Sequence, residues 1–505
     1  NIKQAEMIAR RNLKTLKRNG TLDAYQEALK KFEESNVFVN ISKEEMEEHD
    51  KQGLASNFVG IFGVEKEQKD KSKLALRLVT HSSLPRKAIL GKKEVEISLN
   101  SVLPKGNISF NSLINITLQW LQEPVSVLID QTRAFNTIKT DDSINGKITR
   151  HLRRIFWFEN PYAPEKDLKP RFLYISPVHF GDSPSSSILD AFREQVAQDL
   201  RESGNPSIAQ DLLRSSFVDD NALSYKSLDE AMEFYNNVKK GFEAYGGELH
   251  SPTISDANGK YDENGVPHKE PDGDETETET KIFGFHYNPF EDTVRLPISK
   301  KVSKKSQGLR RGRDLTKADV DNLQITMRMF ASFQMGLWDV LGVLSILSIK
   351  GRLLYSKIQA QYSPAEKTNW DRILDEPLQE ECKDYMKMMI DLDEVTFKRS
   401  PPPGVLTEVH LHGDGGSGAF SVVCYGVWTT EAGDRQSKLL YSKSKVAALT
   451  VPRMELSAMD LAVQVATNLV KVLKTVKVCR IFGDSECTQL QLERDHRPKD
   501  VFSGN

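Results

Sequence analysis

The sequence predicts an α+β fold, because segments with the period of a strand alternate with segments with the period of a helix. The apolar run Val125–Asp130 is one clear strand, and the run that leads to Asp219 and Asp220 is another. Both strands end in aspartates, and carboxylates placed close together repel one another unless divalent cations neutralise them. Clusters of carboxylate oxygens suit Mg²⁺ or Mn²⁺, so we expect a metal site formed by Asp130, Asp219 and Asp220.

Composition describes an ordinary globular protein of several domains. The chain has 505 residues, of which 38% are hydrophobic and 28% are charged. Its four cysteines form no Cys-x-x-Cys pair, which indicates free thiols in a reducing compartment. The apolar run Phe333–Ile349 is interrupted by Asp339, which favours a buried helix over a membrane span. The chain begins at Asn1 without Met, and we expect it to be a piece of a longer polypeptide.

Charge is segregated along the chain, although the formal net charge is only −2. Residues 256–280 carry nine acidic side chains against two lysines, whereas basic residues cluster just beyond them. The basic cluster consists of Lys300, Lys301, Lys304, Lys305, Arg310, Arg311 and Arg313. Such a cluster fits a surface that follows a phosphate backbone. A solvated face or a localisation signal fits it equally well.

Strand and helix signals alternate through the first half of the chain. Two amphipathic helices come first, and a capping-box pattern at Asp23 starts the second of them. The segments predicted in order are helices to Arg18 and from Asp23 to Glu34, strands Leu74–Thr80 and Val95–Leu99, helix Leu113–Trp120, the strand after Pro124, and helix Ile188–Arg201. The pattern therefore predicts two helices before the first strands.

The second half starts with a hairpin at Phe217–Asp220 and a helix over Leu228–Tyr245. Thr253–Thr280 is of low complexity and predicts a solvated or disordered loop. Pro401–Gly404 predicts a linker. The remaining predicted segments are a hairpin of Lys281–Tyr287 and Thr293–Leu296, a helical region capped at Thr316 and running to Asp391, strands Val405–His412, Phe420–Trp428 and Lys477–Phe482, and helix Val451–Val470.

Several of these motifs resemble those of reverse transcriptases. Phe217-Val218-Asp219-Asp220 resembles the Tyr-x-Asp-Asp signature, with Phe in place of Tyr. Asp130 followed by Phe135 resembles the first catalytic motif, and Phe180-Gly181 resembles the nucleotide-site turn Pro-Phe-Gly, with His179 in place of Pro. Three further parts of the chain resemble segments peculiar to one type of retrotransposon. They are Trp338–Gly342, in which Val340 replaces a Pro, Trp370 and Asp375–Leu378.

The chain thus resembles the reverse transcriptase and ribonuclease H region of a retrotransposon polyprotein, most closely of the BEL/Pao long-terminal-repeat type. The resemblance implies a right-hand polymerase of fingers, palm and thumb, followed by a helical connection and a truncated ribonuclease H-like α/β domain. The implied domains are an N-terminal helical segment (1–60), fingers and palm (61–290, with an acidic flexible loop at 253–280), a thumb and connection helical region (291–400) and a C-terminally incomplete ribonuclease H-like domain (401–505).

The resemblance also implies site residues for a polymerase. Asp130, Asp219 and Asp220 are the implied catalytic metal ligands for two Mg²⁺ ions, with Mn²⁺ as a substitute. The implied nucleotide-binding residues are Arg77, Gln131, Phe135, Phe180 and Gly181, together with a lysine of Lys69–Lys73. The implied primer and template contacts are Phe283, Gly284, Lys300, Lys301, Lys304, Lys305, Arg310 and Arg311. Phe135 is expected to lie under the sugar and exclude a 2′-hydroxyl, while a core aromatic fits the same spacing.

A second constellation occurs in the last hundred residues. Asp414 ends a predicted strand, Glu455 lies on the helix after Pro452-Arg453, and Asp484 follows the apolar strand Val478–Phe482. These three resemble the metal ligands of the ribonuclease H fold, and their order and settings fit one two-metal hydrolase site. The implied partners are RNA and DNA template-primers, deoxynucleoside triphosphates and other polyprotein products, with no membrane. The implied location is intracellular, in the cytoplasm, a virus-like particle or the nucleus.

Two other functions fit parts of the sequence. A catalytically silent, transposon-derived nucleic-acid-binding protein would also carry the motifs, and a truncated ribonuclease H-like half is consistent with it. The intact carboxylates argue against it for the polymerase half. An aspartic protease is suggested only by Asp414-Gly415-Gly416, and that class needs two Asp-Thr/Ser-Gly loops, which the sequence lacks.

Overall fold

The fold is given by a computed structural model of the chain. The structure describes residues 2–66, 74–90, 93–107, 111–256, 259–261, 279–302, 314–362, 369–392 and 394–492. Within these residues, no helix combines the length and the hydropathy that a membrane crossing requires. The four cysteines all lie in the described part and are free thiols.

Helices dominate the N-terminal and central segments. They are α1 (Ile2–Asn19), α2 (Leu22–Glu34), α3 (Lys43–Lys51), α4 (Leu99–Val102), α5 (Leu113–Trp120), α6 (Ala134–Thr137), α7 (Ile144–His151), α8 (Ser185–Glu202), α9 (Pro206–Ser215), α10 (Leu228–Glu243), α11 (Lys317–Asp321), α12 (Met327–Met335), α13 (Ser345–Gln361), α14 (Glu376–Ile390), α15 (Val451–Val472) and α16 (Glu486–Leu492). A short 3₁₀ helix spans Glu165–Asp167.

The strands form several separate sheets. They are β1 (Phe38–Asn40), β2 (Ile61–Lys66), β3 (Ala75–Thr80), β4 (Arg86–Leu90), β5 (Lys93–Ile97), β6 (Val125–Thr132), β7 (Arg154–Phe158), β8 (Pro170–Ile175), β9 (Ser216–Phe217), β10 (Asp220–Tyr225), β11 (Glu248–Leu249), β12 (Thr253–Asp256), β13 (Gly259–Tyr261), β14 (Thr280–Ile282), β15 (Phe285–Asn288), β16 (Thr293–Leu296), β17 (Val395–Lys398), β18 (Val405–Gly416), β19 (Ala419–Thr429), β20 (Arg435–Val446) and β21 (Val478–Phe482).

The chain divides into two compact units, and the first consists of residues 1–110, 130–213 and 236–250. Helix α1 packs on β7 of the three-stranded sheet β1-β8-β7. It does so because its apolar residues recur every three or four positions and so share one helical face. The buried members of that face are Ala5, Ala9, Leu13 and Leu16. Tyr25 of α2 packs against Trp157 of β7, with ring centroids 4.9 Å apart.

The second unit consists of residues 111–129, 214–235 and 251–505. One of its sheets has the strand order β14-β15-β16-β17, and another has the order β20-β19-β18-β21. Strand β21 runs parallel to β18, and a parallel pair needs a crossover connection, which α15 supplies by packing on β18. A third sheet has the order β13-β12-β6-β10-β9, so β6 is the neighbour of β10.

Several predicted elements are confirmed by the structure. Helix α5 has the predicted bounds, and the strand that carries Asp130 is β6. Thr316 begins α11 with the predicted capping box, because its hydroxyl accepts from Asp319 and the Asp319 carboxylate accepts from Thr316. Signals in the side chains nearest the element were sufficient in these cases.

Other predictions were wrong at the level of single elements. Helix α2 begins at Leu22 with Thr21 as its N-cap, not at Asp23, and no side chain caps it. The segment predicted as an acidic loop contains β12 and β13, and β12 pairs with β6 because strand pairing satisfies its backbone. Residues 257–258 and 262–278 of that segment lie outside the described residues. The region 291–400, predicted to be helical after the hairpin strand Thr293–Leu296, also contains β17, which pairs with that strand, β16.

The segment before the predicted linker Pro401–Gly404 is anchored by a buried arginine. Arg399 is completely buried and forms an ion pair with Asp292, with Nε and Oδ1 2.6 Å apart. Its guanidinium also donates to the carbonyls of Trp120, Glu123 and Pro124. A planar fork with five donors suits such a ring of acceptors. The predicted linker therefore begins just after a residue that is anchored in the core of the second unit.

Candidate functional sites

Three carboxylates of the second unit lie together at one end of the sheet β20-β19-β18-β21. Each of Asp414, Glu455 and Asp484 offers an oxygen, and these oxygens lie within 4.8 Å of one another. Asp414 is the tenth residue of β18, Glu455 lies in the first turns of α15, and Asp484 follows β21 after one glycine. Among the residues that the structure describes, this is the group with the spacing to hold a metal ion.

Glycines of β18 allow α15 to approach the strand closely. Added Cβ atoms would meet its backbone: at Gly413 the Ala458 carbonyl oxygen would be 3.2 Å away, and at Gly415 the Glu455 nitrogen would be 2.4 Å away. Strand alternation points both positions toward the helix, while Asp414 between them is exposed. The sequence Gly-Asp-Gly thus brings Glu455 to the end of the strand that carries Asp414.

Electrostatics of the cluster favour a bound cation. Burial raises the pKa of Glu455, and the neighbouring charges of Asp414 and Asp484 raise it further. A hydrogen bond from the Gly415 N–H opposes this shift. A divalent cation would relieve the repulsion among the three carboxylates, and carboxylate oxygens are the ligands that Mg²⁺ and Mn²⁺ prefer. The donor set therefore fits the metal that the sequence predicts.

We expect Gly415→Ala to destabilise the second unit by about 1–3 kcal/mol, because the new methyl group overlaps the backbone of α15. Thermal or denaturant unfolding of the variant measures this loss. Gly416→Ala is the matched control, since a Cβ there would meet nothing within 4 Å. Equal stability of the two variants would contradict the close approach.

The hairpin that carries Asp219 and Asp220 is a tight, strained turn. Phe217 of β9 pairs with Asp220 of β10, which leaves only Val218 and Asp219 as the turn residues. Val218 has a φ of 56°, a left-handed conformation that is costly for a β-branched residue. Such strain costs about 1–3 kcal/mol and is concentrated at functional sites. The turn therefore places Asp219 at its tip and Asp220 at the start of β10.

A second tight turn packs beside the first within the same unit. Phe283 and Gly284 connect β14 to β15, and both have positive φ, at 49° and 86°. The rings of Phe217 and Phe283 meet edge to face with centroids 6.3 Å apart. The Trp338 indole N–H donates to the Phe283 carbonyl at 2.7 Å, and a Cβ at Gly284 would be 2.2 Å from the Trp338 ring. The structure thus brings Phe217, Phe283, Gly284 and Trp338 together.

The segment that continues from Trp338 is fixed in the same unit by backbone contacts. The half-buried Asp339 carboxylate accepts from the N–H groups of Val343 and Leu344, just before α13 begins. Burial raises the pKa of this carboxyl. Ser442 of β20 donates its N–H to the Leu341 carbonyl at 2.8 Å. These contacts explain why the sequence contains Trp-Asp-x-Leu-Gly as one motif.

The first unit contains Asp130, and a histidine lies beside it. Asp130 is exposed, and His250 Nε2 is 3.8 Å from its carboxylate. The backbone N–H of His250 also donates to the backbone carbonyl of Asp130. Sequence reasoning missed His250, because no pattern links it to Asp130 across 120 residues. Gln131, predicted to bind the nucleotide, is buried, and its amide nitrogen has no hydrogen bond among the described residues.

Four other predicted nucleotide-site residues also lie in this unit. The buried ring of Phe135 packs edge to face on Phe180, with centroids 4.7 Å apart. Gly181 follows with a φ of 93°. Arg77 lies on β3 with an exposed side chain. Phe135 and Phe180 are therefore in ring contact, with Gly181 next in the chain, and their role in nucleotide binding stays a prediction.

The basic cluster lies only partly within the described residues. Lys301 is exposed, and Lys300 donates to the Ile390 carbonyl at 2.7 Å. Lys304, Lys305, Arg310, Arg311 and Arg313 lie outside the described residues, as do the lysines of Lys69–Lys73. Their contact with a nucleic-acid backbone stays a prediction.

Comparison with known proteins finds a ribonuclease H-like family model in the part of the chain that holds the carboxylate cluster. Residues 326–485 match the family model described as the Pao retrotransposon-like RNaseH-like domain. The match begins at the N-cap of α12, inside the segment assigned to thumb and connection, and includes all three carboxylates of the cluster. No curated protein matches the chain.

One solved structure extends the likeness to most of the chain. A foamy viral protease-reverse transcriptase dRH, solved in complex with double-stranded DNA, has a TM-score of 0.52 and 12% identity over 95% of this chain. The foamy viral protease-reverse transcriptase in complex with an RNA/DNA hybrid has a TM-score of 0.45 and 10% identity over 91% of it. The chain spans 65% of the first of these structures and 51% of the second. The mixed α/β fold thus resembles that of a retroviral reverse transcriptase.

Proposed function

We propose that this protein cleaves the RNA strand of RNA–DNA hybrids at Asp414, Glu455 and Asp484, and that it extends primers at Asp130, Asp219 and Asp220. The observation that carries the proposal is the carboxylate cluster, whose oxygens lie within 4.8 Å of one another in a region that matches a ribonuclease H-like family. Mg²⁺ or Mn²⁺ is the proposed cofactor at both sites, with two ions at each.

The nuclease chemistry follows from how the three side chains are held. Asp414 and Asp484 are exposed and can reach a phosphodiester from solvent, while the half-buried Glu455 is fixed by the Gly415 N–H. When bound, the cation supplies a water nucleophile at neutral pH and offsets charge on the phosphate. The three carboxylates would hold the cation in place. They do not by themselves distinguish the RNA strand of the hybrid from the DNA strand.

The aspartates of the proposed polymerase site lie on strands or in the turn beside one. Asp130 of the first unit lies on β6, and Asp220 of the second unit begins β10. The strained Val218 turn fixes the adjacent Asp219. In this proposal the three aspartates hold Mg²⁺, and Arg77 offsets the charge of a deoxynucleoside triphosphate. The finer division into fingers, palm and thumb, and origin in a BEL/Pao polyprotein, belong to the same proposal.

Partners and location follow from that activity. We propose RNA and DNA template-primers as partners, with Lys300, Lys301 and the basic residues that follow them along the backbone. Other products of the same polyprotein are further proposed partners. The proposed location is the cytoplasm, a virus-like particle or the nucleus.

Two assays on the unaltered chain test the proposal. A labelled DNA primer on an RNA template reports extension, and a labelled RNA strand in a hybrid reports cleavage, each with Mg²⁺ and with a chelator. Chelator-sensitive activity in both is the expected result. Tight binding of template-primer without either activity would replace the proposal with the silent nucleic-acid-binding protein.

We expect Phe135→Ala to raise ribonucleotide incorporation about tenfold relative to deoxynucleotide, because a smaller side chain leaves room for a 2′-hydroxyl. Single-nucleotide extension with each triphosphate gives the ratio. Phe192→Ala is the control, since Phe192 packs on Phe242 of the same unit through a comparable ring contact. An unchanged ratio in Phe135→Ala would assign Phe135 to the core alone.

A further inference from the structure

The turn between β8 and α8 is held by side chains from distant parts of the first unit. The Thr80 hydroxyl at the end of β3 donates to the Phe180 carbonyl at 2.6 Å. Gly181 has the left-handed φ of 93°, and a Cβ there would be 3.0 Å from the Thr80 carbonyl oxygen. The backbone of this turn is thus fitted against the end of β3.

The side chain of Asn100 in α4 forms hydrogen bonds with the backbone on either side of Asp182. Its amide nitrogen donates to the Gly181 carbonyl at 2.7 Å, and its amide oxygen accepts from the Ser183 N–H at 2.8 Å. The same nitrogen donates to the Ser83 hydroxyl at 2.8 Å. One side-chain amide therefore satisfies a backbone acceptor and a backbone donor two residues apart, as a neighbouring strand would.

Asp182, between those two contacts, turns its side chain into the protein. Its carboxylate accepts from the Ser82 hydroxyl and from Arg153 Nε, each at 2.5 Å, and both Asp182 and Arg153 are buried. A buried, doubly paired carboxylate leaves little freedom to the backbone that carries it. The turn is fixed on one face by Asn100 and on the other by Arg153.

The result of this bracing is the position of one aromatic ring. Phe180 lies immediately before Gly181, and its ring meets Phe135 edge to face at 4.7 Å. Rotation of the turn by even a small angle would move Phe180 across the face of Phe135. The contacts of Asn100 are therefore coupled to the pair of rings that the proposed nucleotide site contains.

We infer that Asn100 is a positioning residue for the deoxynucleoside triphosphate site, which it serves by holding Gly181 and Ser183 so that Phe180 packs on Phe135. This inference rests on the proposed polymerase function. Asn100 touches no substrate in this role and acts only through the turn. Its substitution should weaken nucleotide binding and sugar selection while leaving the chemical step nearly unchanged.

The two hydrogen bonds of the amide can be separated by substitution. Asn100→Ala removes both, whereas Asn100→Asp keeps an acceptor for Ser183 and replaces the donor to Gly181 with a repelling oxygen. Asn57→Ala is the control, because Asn57 is a half-buried asparagine of the same unit whose side chain donates to the Leu152 carbonyl and not to a residue of the turn. Melting temperatures of all three variants show whether the unit stays folded.

Steady-state extension of a primer by one nucleotide is the test, with kcat and KM measured for a deoxynucleotide and its ribonucleotide. We expect Asn100→Ala to raise the KM for the deoxynucleotide about tenfold and to change kcat less than about twofold, with lower discrimination between the sugars. Asn100→Asp should raise KM similarly, and Asn57→Ala should match the wild type.

Three results would overturn the inference. If the wild type extends primers and Asn100→Ala leaves KM and sugar discrimination within about twofold, Asn100 has no positioning role. If kcat falls and KM stays constant, the residue acts on the chemical step instead. If the wild type fails to extend any primer, the proposed polymerase function fails first, and the inference fails with it.

Discussion

Asp219→Asn is expected to lower Mg²⁺-dependent primer extension by about 10²–10³-fold, the range for loss of one charged group that stabilises a reacting centre. The amide keeps the size of the carboxylate but lacks its negative charge, so a divalent cation loses a ligand. Single-turnover extension of a DNA primer on an RNA template measures the chemical step without product release. The wild type and the variant should bind template-primer equally, because basic side chains, and not Asp219, would bind the phosphate backbone of the nucleic acid.

The control for this prediction is an aspartate outside the site in the same unit. Asp229 is exposed in the first turn of α10, where its contribution is to the helix N-terminus. Asp229→Asn should extend primers at the wild-type rate. Extension by Asp219→Asn within about threefold of the wild type would remove the carboxylate from the catalytic assignment. Loss of activity in both variants would point to a folding defect in place of a missing ligand.

Local signals in the sequence carried much of the prediction of both sites. An apolar run places Asp130 on a strand, and periodicity together with Pro452 places Glu455 on a helix. Asp220, predicted at the end of a strand, instead begins β10. Such signals depend on neighbours within one element, which is why they survive without a structure. The grouping of Asp414, Glu455 and Asp484 was then implied by resemblance, and the structure places their oxygens together.

Contacts between distant residues could not be predicted in the same way. Strand β20 was missed because Arg435–Val446 is polar and its two neighbours in space, β19 and the Leu341 backbone, are not read from its own pattern. Arg399 was overlooked as one more charge beside a proline-rich linker, although it is completely buried. Asn100 lies about 80 residues from the turn that it holds. Burial and partners of polar groups are tertiary facts, and propensity contains no information on them.

Asp414→Asn is expected to lower cleavage of the RNA strand in an RNA–DNA hybrid by about 10²–10³-fold while primer extension by the same protein is retained. The cluster has three carboxylate oxygens within 4.8 Å of one another, so the neutral amide removes one ligand and part of the mutual repulsion. In the absence of metal the variant should therefore unfold at the same temperature as the wild type or at a higher one. A structural role for Asp414 predicts the opposite change in stability.

The matched control is Asp434→Asn, which changes an exposed carboxylate of the loop between β19 and β20 in the same region. It should cleave the hybrid at the wild-type rate and unfold at the wild-type temperature. Cleavage by Asp414→Asn equal to that of Asp434→Asn would exclude the cluster as the nuclease site. A fall in cleavage together with a raised melting temperature in metal-free buffer would show that the carboxylates are held close together at a cost in stability, which is the expected property of a site built for a divalent cation.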